Sequence, residues 1–195
     1  FRFFLTKKLN IFFITFFLIF FVNNISHASF KEKLITKYKT IDTLYFDFVQ
    51  TIGEKEESGN CYVKYPLLMR CEYSENEKSI VTNGKILAVV KNKFKKVYYY
   101  PLEKTPLFFL LNKENILSLV KDHGPVYSDS KIVEYELADI DFNVINIFFD
   151  KKNLVLLGWK TIDAYSNDVN FKIKNVKINI LIESNKFKIP MEEDL

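Results

Sequence analysis

Histidine and arginine are almost missing from this 195-residue chain, with two of each. Arg2 and Arg70 are the arginines, and His123 is the only histidine after residue 28. Metal centres usually draw on several His or Cys ligands, so no metal site is expected. No HExxH, CxxC, P-loop or GxSxG spacing occurs, and nothing supports nucleophilic or acid–base catalysis. His123, beside Gly124-Pro125, reads as a loop residue. Asp139 and Asp141 read as turn stabilisers. Neither an enzyme nor a bound cofactor is expected. Glycine and proline number five each, too few for a low-complexity or collagen-like chain.

The first 28 residues read as a secretion signal. Arg2, Lys7 and Lys8 give a basic start, Leu9–Val22 is a 14-residue run without charge, and Ser26-His27-Ala28 is a small-x-small cleavage site. The run is short for a membrane span, which needs about 20 residues, although an uncleaved anchor is the alternative. The leader holds three of the 28 basic residues and none of the 24 acidic ones. The remainder, 29–195, therefore carries 25 basic against 24 acidic residues, a balance of +1. Without a basic footprint, nucleic acid is not an expected partner. The remainder reads as a single exported domain.

Two cysteines remain, Cys61 and Cys71, an even count suited to a disulfide in an oxidising compartment. Gly59–Tyr73 reads as a hairpin turning at Tyr65-Pro66-Leu67. With Pro66 at its centre, Cys61 faces Cys71, Val63 faces Met69 and Tyr62 faces Arg70. Directly opposite cysteines are within disulfide reach; two buried free thiols are the alternative.

What is abundant is alternation. Leu44–Thr51 reads as a strand, with Leu44, Phe46 and Phe48 on one face and Gln50 continuing it. A buried amide is costly without a partner, so Gln50 is expected to satisfy a neighbouring loop or helix end, or to end the strand near solvent. Gly53–Ser58 reads as a loop or frayed edge. Lys78–Thr82, Ile86–Lys91 and Lys96–Tyr100 follow as strands, with Asn83-Gly84 as a tight hairpin. Lys131–Leu137, Phe142–Asp150, Leu154–Asp163 and Asp168–Ile182 are further strands. The last changes apolar phase at Lys174–Asn175, which predicts a bulge, bend or break. Ser29–Thr40 reads as a helix with capping-box spacing at Ser29 and Glu32.

Between these strand groups lies Thr105–Val120. Thr105 before Pro106 is an N-cap signal, and Asn112 suits the cap of a second helix. Leu107, Phe108, Phe109, Leu110 and Leu111 run without a polar break. A short helix apolar all round must be covered on several sides. The strands, joined by short turns, predict an antiparallel sheet within an α+β fold, whose apolar concave face this insert closes. The alternative is a helix that simply completes a core.

Several of these features, in this order, resemble the LolA family of outer-membrane lipoprotein carriers. They are the first helix, Phe48-Val49-Gln50, the Gly59–Tyr73 hairpin, Val81-Thr82-Asn83-Gly84-Lys85, Thr105-Pro106 with Leu110-Leu111, Gly158-Trp159 and Phe187-Lys188-Ile189-Pro190. The resemblance implies an incomplete antiparallel β-barrel with helices over its open side. It also implies a periplasmic carrier whose hydrophobic cavity accepts lipoprotein acyl chains. Its implied partners are acylated lipoproteins, an inner-membrane ABC-type releasing complex and an outer-membrane receptor lipoprotein; a monomer is expected. Candidate cavity residues are Phe46, Phe48, Val63, Met69, Leu107, Phe108, Leu110, Leu111 and Trp159. Many family members carry an arginine before the hairpin proline, linked to lid closure; here Tyr65 stands there. Gln50, Lys64, Tyr65 and Arg70 are the closure candidates. A lipid- or protein-sensing module on the same scaffold, or a binder of free lipids, is the alternative reading.

Overall fold

A strand with one apolar face has to bury it, and most of this chain is such strands. The computed structural model describes residues 29–75, 77–138, 144–163 and 166–195. The leader, the Asp139–Asp141 pair and the start of the strand expected from Phe142 lie outside them.

Helix α1 (Phe30–Lys39) precedes six strands: β1 (Thr43–Ile52), β2 (Lys55–Lys64), β3 (Leu68–Tyr73), β4 (Lys78–Asn83), β5 (Ile86–Lys91) and β6 (Lys96–Pro101). Helices α2 (Pro106–Leu111) and α3 (Lys113–Asp122) follow. Then come β7 (Tyr127–Ser128), β8 (Ile132–Ala138), β9 (Val144–Asp150), β10 (Leu156–Ile162) and β11 (Asp168–Ile178). All eleven form one antiparallel sheet in the order β6-β5-β4-β3-β2-β1-β11-β10-β9-β8-β7. Its ends, β6 and β7, do not pair, so the barrel is incomplete.

One core gathers Met69 and Tyr73 of β3 with Val133 and Tyr135 of β8. Those strands lie six places apart in the sheet, about 29 Å if it were flat. Ile80 of β4 and Trp159 of β10, five places apart, line one cavity, so the sheet curls strongly, and the three helices fill its concave side through Leu34 and Tyr38, Leu110 and Leu111, and Ile116, Leu119 and Val120. The C-terminal segment crosses the convex side. There Ile189 and Leu195 cover a second small cluster of Val81, Ala88, Val90 and Val97, and Glu192 accepts a hydrogen bond from the edge-strand amide of Val97 at 3.0 Å.

The β2–β3 hairpin has the predicted register: Cys61 faces Cys71, Val63 faces Met69 and Tyr62 faces Arg70. Cys61 and Cys71 are disulfide-bonded. The phase change in β11 is a bulge, where two residues oppose Phe46 between the Tyr45–Lys177 and Asp47–Lys174 pairs. Asn175 takes a left-handed conformation there (φ 52°) and donates to the Asp47 carboxylate at 2.8 Å. The Ser29–Glu32 capping box is present.

Four expectations need correction. Lys55–Ser58 is strand, not loop, because β2 pairs with β1 from Lys55 onward. β11 stops at Ile178 instead of Ile182. Asn179 turns the chain with φ 53°, its amide bridging the Thr40 carbonyl and the Asp42 N–H. The two-residue edge strand β7 adds to the expected strands. Finally, Thr105 stands at the N-cap of α2, but its hydroxyl donates back to Leu102 O at 2.8 Å and caps nothing. Asn112 does cap α3, accepting from Glu114 N at 3.2 Å.

Candidate functional site

Period-2 alternation puts Phe48 and Gln50 of β1 on the concave face, and pairing brings further rings beside them. Tyr73, Phe48, Phe171 and Trp159 form an aromatic row across β3, β1, β11 and β10. Successive ring centroids are 5.0, 4.8 and 4.0 Å apart, the last pair stacked at 9°. Gly59 of β2 lies between Phe48 and Tyr73 in the pairing register. A side chain there would enter the space of the Phe48 ring.

Above this row, at the N-terminal end of α2, is a cavity of about 190 Å³. It is lined by Gln50, Met69, Cys71, Tyr73, Ile80, Thr105, Pro106, Leu107, Trp159, Thr161, Val169 and Phe171. None of these carries a formal charge. The volume slightly exceeds a cavity that holds one benzene ring, about 150 Å³.

Met69, Leu107, Trp159 and Gln50, among the predicted residues, line this cavity; Phe48 does not, but stacks on the lining residue Phe171. Phe46 meets Phe171 edge-on (6.4 Å) but borders a separate crevice of about 10 Å³ beside Tyr38 and Ile41. Val63, Leu110 and Leu111 are buried in the closed core, with Phe108 half-buried against it. Tyr73, Ile80, Thr161, Val169 and Phe171 join the wall without having been singled out in the sequence. Val169 and Phe171 carried a usable signal, their alternation with Ile173.

The closure candidates are scattered. Gln50 sits at the cavity and accepts from the Tyr73 hydroxyl at 3.0 Å, so its partner is a tyrosine and not a loop or helix end. Burial, and then the Glu57 carboxylate, hold the Tyr73 hydroxyl well above its ordinary pKa. Tyr65 lies elsewhere, under the start of α3, its pKa raised by burial. Lys113 stands over its ring at 5.9 Å and donates to Ile41 O at 3.0 Å. Lys64 and Arg70 alternate onto the convex face, where Arg70 Nε meets Glu72 at 2.9 Å.

A charged cluster borders the row. Lys78 lies 3.7 Å from the Tyr73 ring centroid and bonds the buried Glu57 at 2.7 Å; Lys55 holds the other Glu57 oxygen at 2.8 Å. Burial alone would raise the Glu57 pKa, but these two lysines outweigh it and hold it below the usual carboxylate value.

The profile of the family described as outer membrane lipoprotein carrier protein LolA matches residues 39–190. The chain belongs to the LolA family. It matches no curated protein. Among solved structures it is similar to an uncharacterised conserved protein from Thermus thermophilus, with 11% identity, 82% of this chain and 92% of that one covered, and a TM-score of 0.49. A LolA superfamily protein from Nitrosomonas europaea aligns at 11% identity over 83% and 99% of the two chains, with a TM-score of 0.43. A structure of the Pseudomonas aeruginosa MucA/MucB complex aligns at 9% identity over 85% and 62%, with a TM-score of 0.45. LolA is by description a carrier family, and among the described residues no helix is long and apolar enough to cross a membrane.

Proposed function

We propose that this protein is a periplasmic carrier that shelters the acyl chains of lipoproteins between two membranes. The observation that carries the reading is the uncharged cavity lined by Phe171 and Trp159 of the aromatic row and walled by the start of α2, a helix that is apolar on every side. A water-filled greasy hollow would be unstable, and α2 in its place keeps the empty protein folded. Each methylene moved out of water contributes about 0.8 kcal/mol, so a 16-carbon chain offers on the order of 12 kcal/mol gross, reduced by ordering and association costs. A cavity of about 190 Å³ holds only part of such a chain. Full loading therefore requires α2 to withdraw, an exchange of plug for cargo between two states.

The family assignment adds the expected route. An inner-membrane ABC-type complex would load the carrier, and an outer-membrane receptor lipoprotein would unload it.

Trp159 is the only tryptophan and lines the cavity, which provides a direct test. A synthetic lipopeptide with brominated acyl chains should quench its emission at stoichiometric ratios, because bromine quenches on contact. An undisturbed emission spectrum at saturating lipopeptide would sink the reading. A shift of its emission by partner peptides without acyl chains would instead favour a sensing module on the same scaffold.

A further inference from the structure

Resting on the carrier reading, two polar groups in the cavity wall point to what part of the cargo is recognised. Gln50 is fixed by the Tyr73 hydroxyl, which donates to its Oε1 at 3.0 Å. That leaves the carboxamide N–H₂ with donors to spare. Thr161 Oγ1 is buried and has no hydrogen-bond partner. The other two hydroxyls at the cavity, those of Tyr73 and Thr105, already donate, to Gln50 and to Leu102 O. A buried hydroxyl without a partner costs free energy unless a ligand supplies one.

Charge decides the ligand class. No ionised side chain lines the cavity. The neighbouring cation, Lys78, lies outside the lining and is engaged by Glu57 at 2.7 Å. A carboxylate brought here would lose its hydration without gaining a counter-ion. An ester or amide carbonyl asks only for neutral donors, which Gln50 and Thr161 supply. We propose that the cavity recognises the neutral carbonyl of an ester- or amide-linked acyl chain through the Gln50 carboxamide and the Thr161 hydroxyl, and discriminates against free fatty-acid carboxylates. The hydrocarbon then runs beneath α2, along the aromatic row.

The test is displacement of the fluorescent apolar probe N-phenyl-1-naphthylamine by monopalmitoylglycerol and by palmitate, at mildly alkaline pH. Wild-type protein should release the probe at monopalmitoylglycerol concentrations about tenfold below those of palmitate. Replacing both donors (Gln50→Leu with Thr161→Val) should weaken the ester about tenfold and abolish the preference, with probe binding intact. Glu57→Gln, which frees Lys78, should strengthen palmitate. Equal displacement by both lipids, a preference that survives the double substitution, or no gain for palmitate in Glu57→Gln would each overturn this inference and leave the carrier reading standing. If the wild-type protein binds neither the probe nor either lipid, the carrier reading itself fails, and this inference with it.

Discussion

The ring of Phe48 occupies the space that a side chain on Gly59 would need. A β-carbon there would come within 2.8 Å of the ring and 2.0 Å of the Glu72 carbonyl oxygen. Gly59 is thus the gap through which Phe48 on β1 reaches Tyr73 on β3. Gly59→Ala should cost about 2–3 kcal/mol through overpacking, seen as a lower urea midpoint. It should also tilt Phe48 and weaken binding of apolar probes. An unchanged midpoint would show that the aromatic row is not held as described.

The disulfide joins strands one hairpin apart, with its cysteines ten positions apart in sequence. Its sulfurs are buried on the concave side, Cys71 at the cavity wall. Closing so small a loop restricts the unfolded chain by about 2–3 kcal/mol. Urea unfolding with and without reductant should differ by that amount, and Cys61→Ala with Cys71→Ala should behave like the reduced protein. Because the bond is shielded, reductant should act at a measurable rate only once urea opens the sheet. Rapid reduction of native protein would contradict the burial.

Local features of this fold were legible in the sequence where turn chemistry is local. Pro66 set the centre of the β2–β3 hairpin and hence the Cys61–Cys71 pair. Asn83-Gly84 set the β4–β5 turn, where Asn83 accepts from Ile86 N at 2.9 Å, and the change of apolar phase placed the β11 bulge at Asn175. The ends of strands were not legible where local chemistry opposed the pattern. Ile180 and Ile182 continue an apolar alternation, yet Asn179 turns the chain before them. Lys55–Ser58 is too charged to read as a strand, because the lysine that completes the Glu57 cluster, Lys78, is far away in sequence. The cavity was only half visible for the same reason. β1 pairs with β11, so Gln50 faces Phe171 across a separation that no hairpin arithmetic can reach.

Acid should loosen the cavity rim. Glu57 has a folded-state pKa below its unfolded value, set by Lys55 and Lys78 against the opposing effect of burial. Such a group contributes stability that is present above the unfolded pKa and is lost as pH falls through the folded one. Stability should therefore decline below about pH 5. Glu57→Gln should be less stable than wild type near neutrality, and the two should converge in acid. Urea midpoints across that range measure it, and a gap that stays constant with pH would exclude Glu57 as the source.

Leu110 offers the sharpest separation of plug from core. It is buried in the closed state, 4% exposed, on the helix that fills the concave side. Leu110→Ala should destabilise the empty protein by about 2–4 kcal/mol. If cargo displaces α2, the loaded state does not use that packing and escapes most of the loss. The competent state is then more populated before loading, and the apparent affinity for an acylated peptide rises. A static pocket predicts the opposite, since losing a core contact would weaken binding along with stability. Unfolding midpoints of the free protein, set beside lipopeptide titrations of the same variant, distinguish the two. A lower midpoint with tighter binding supports the exchange of α2 for cargo, and a lower midpoint with weaker binding rules it out.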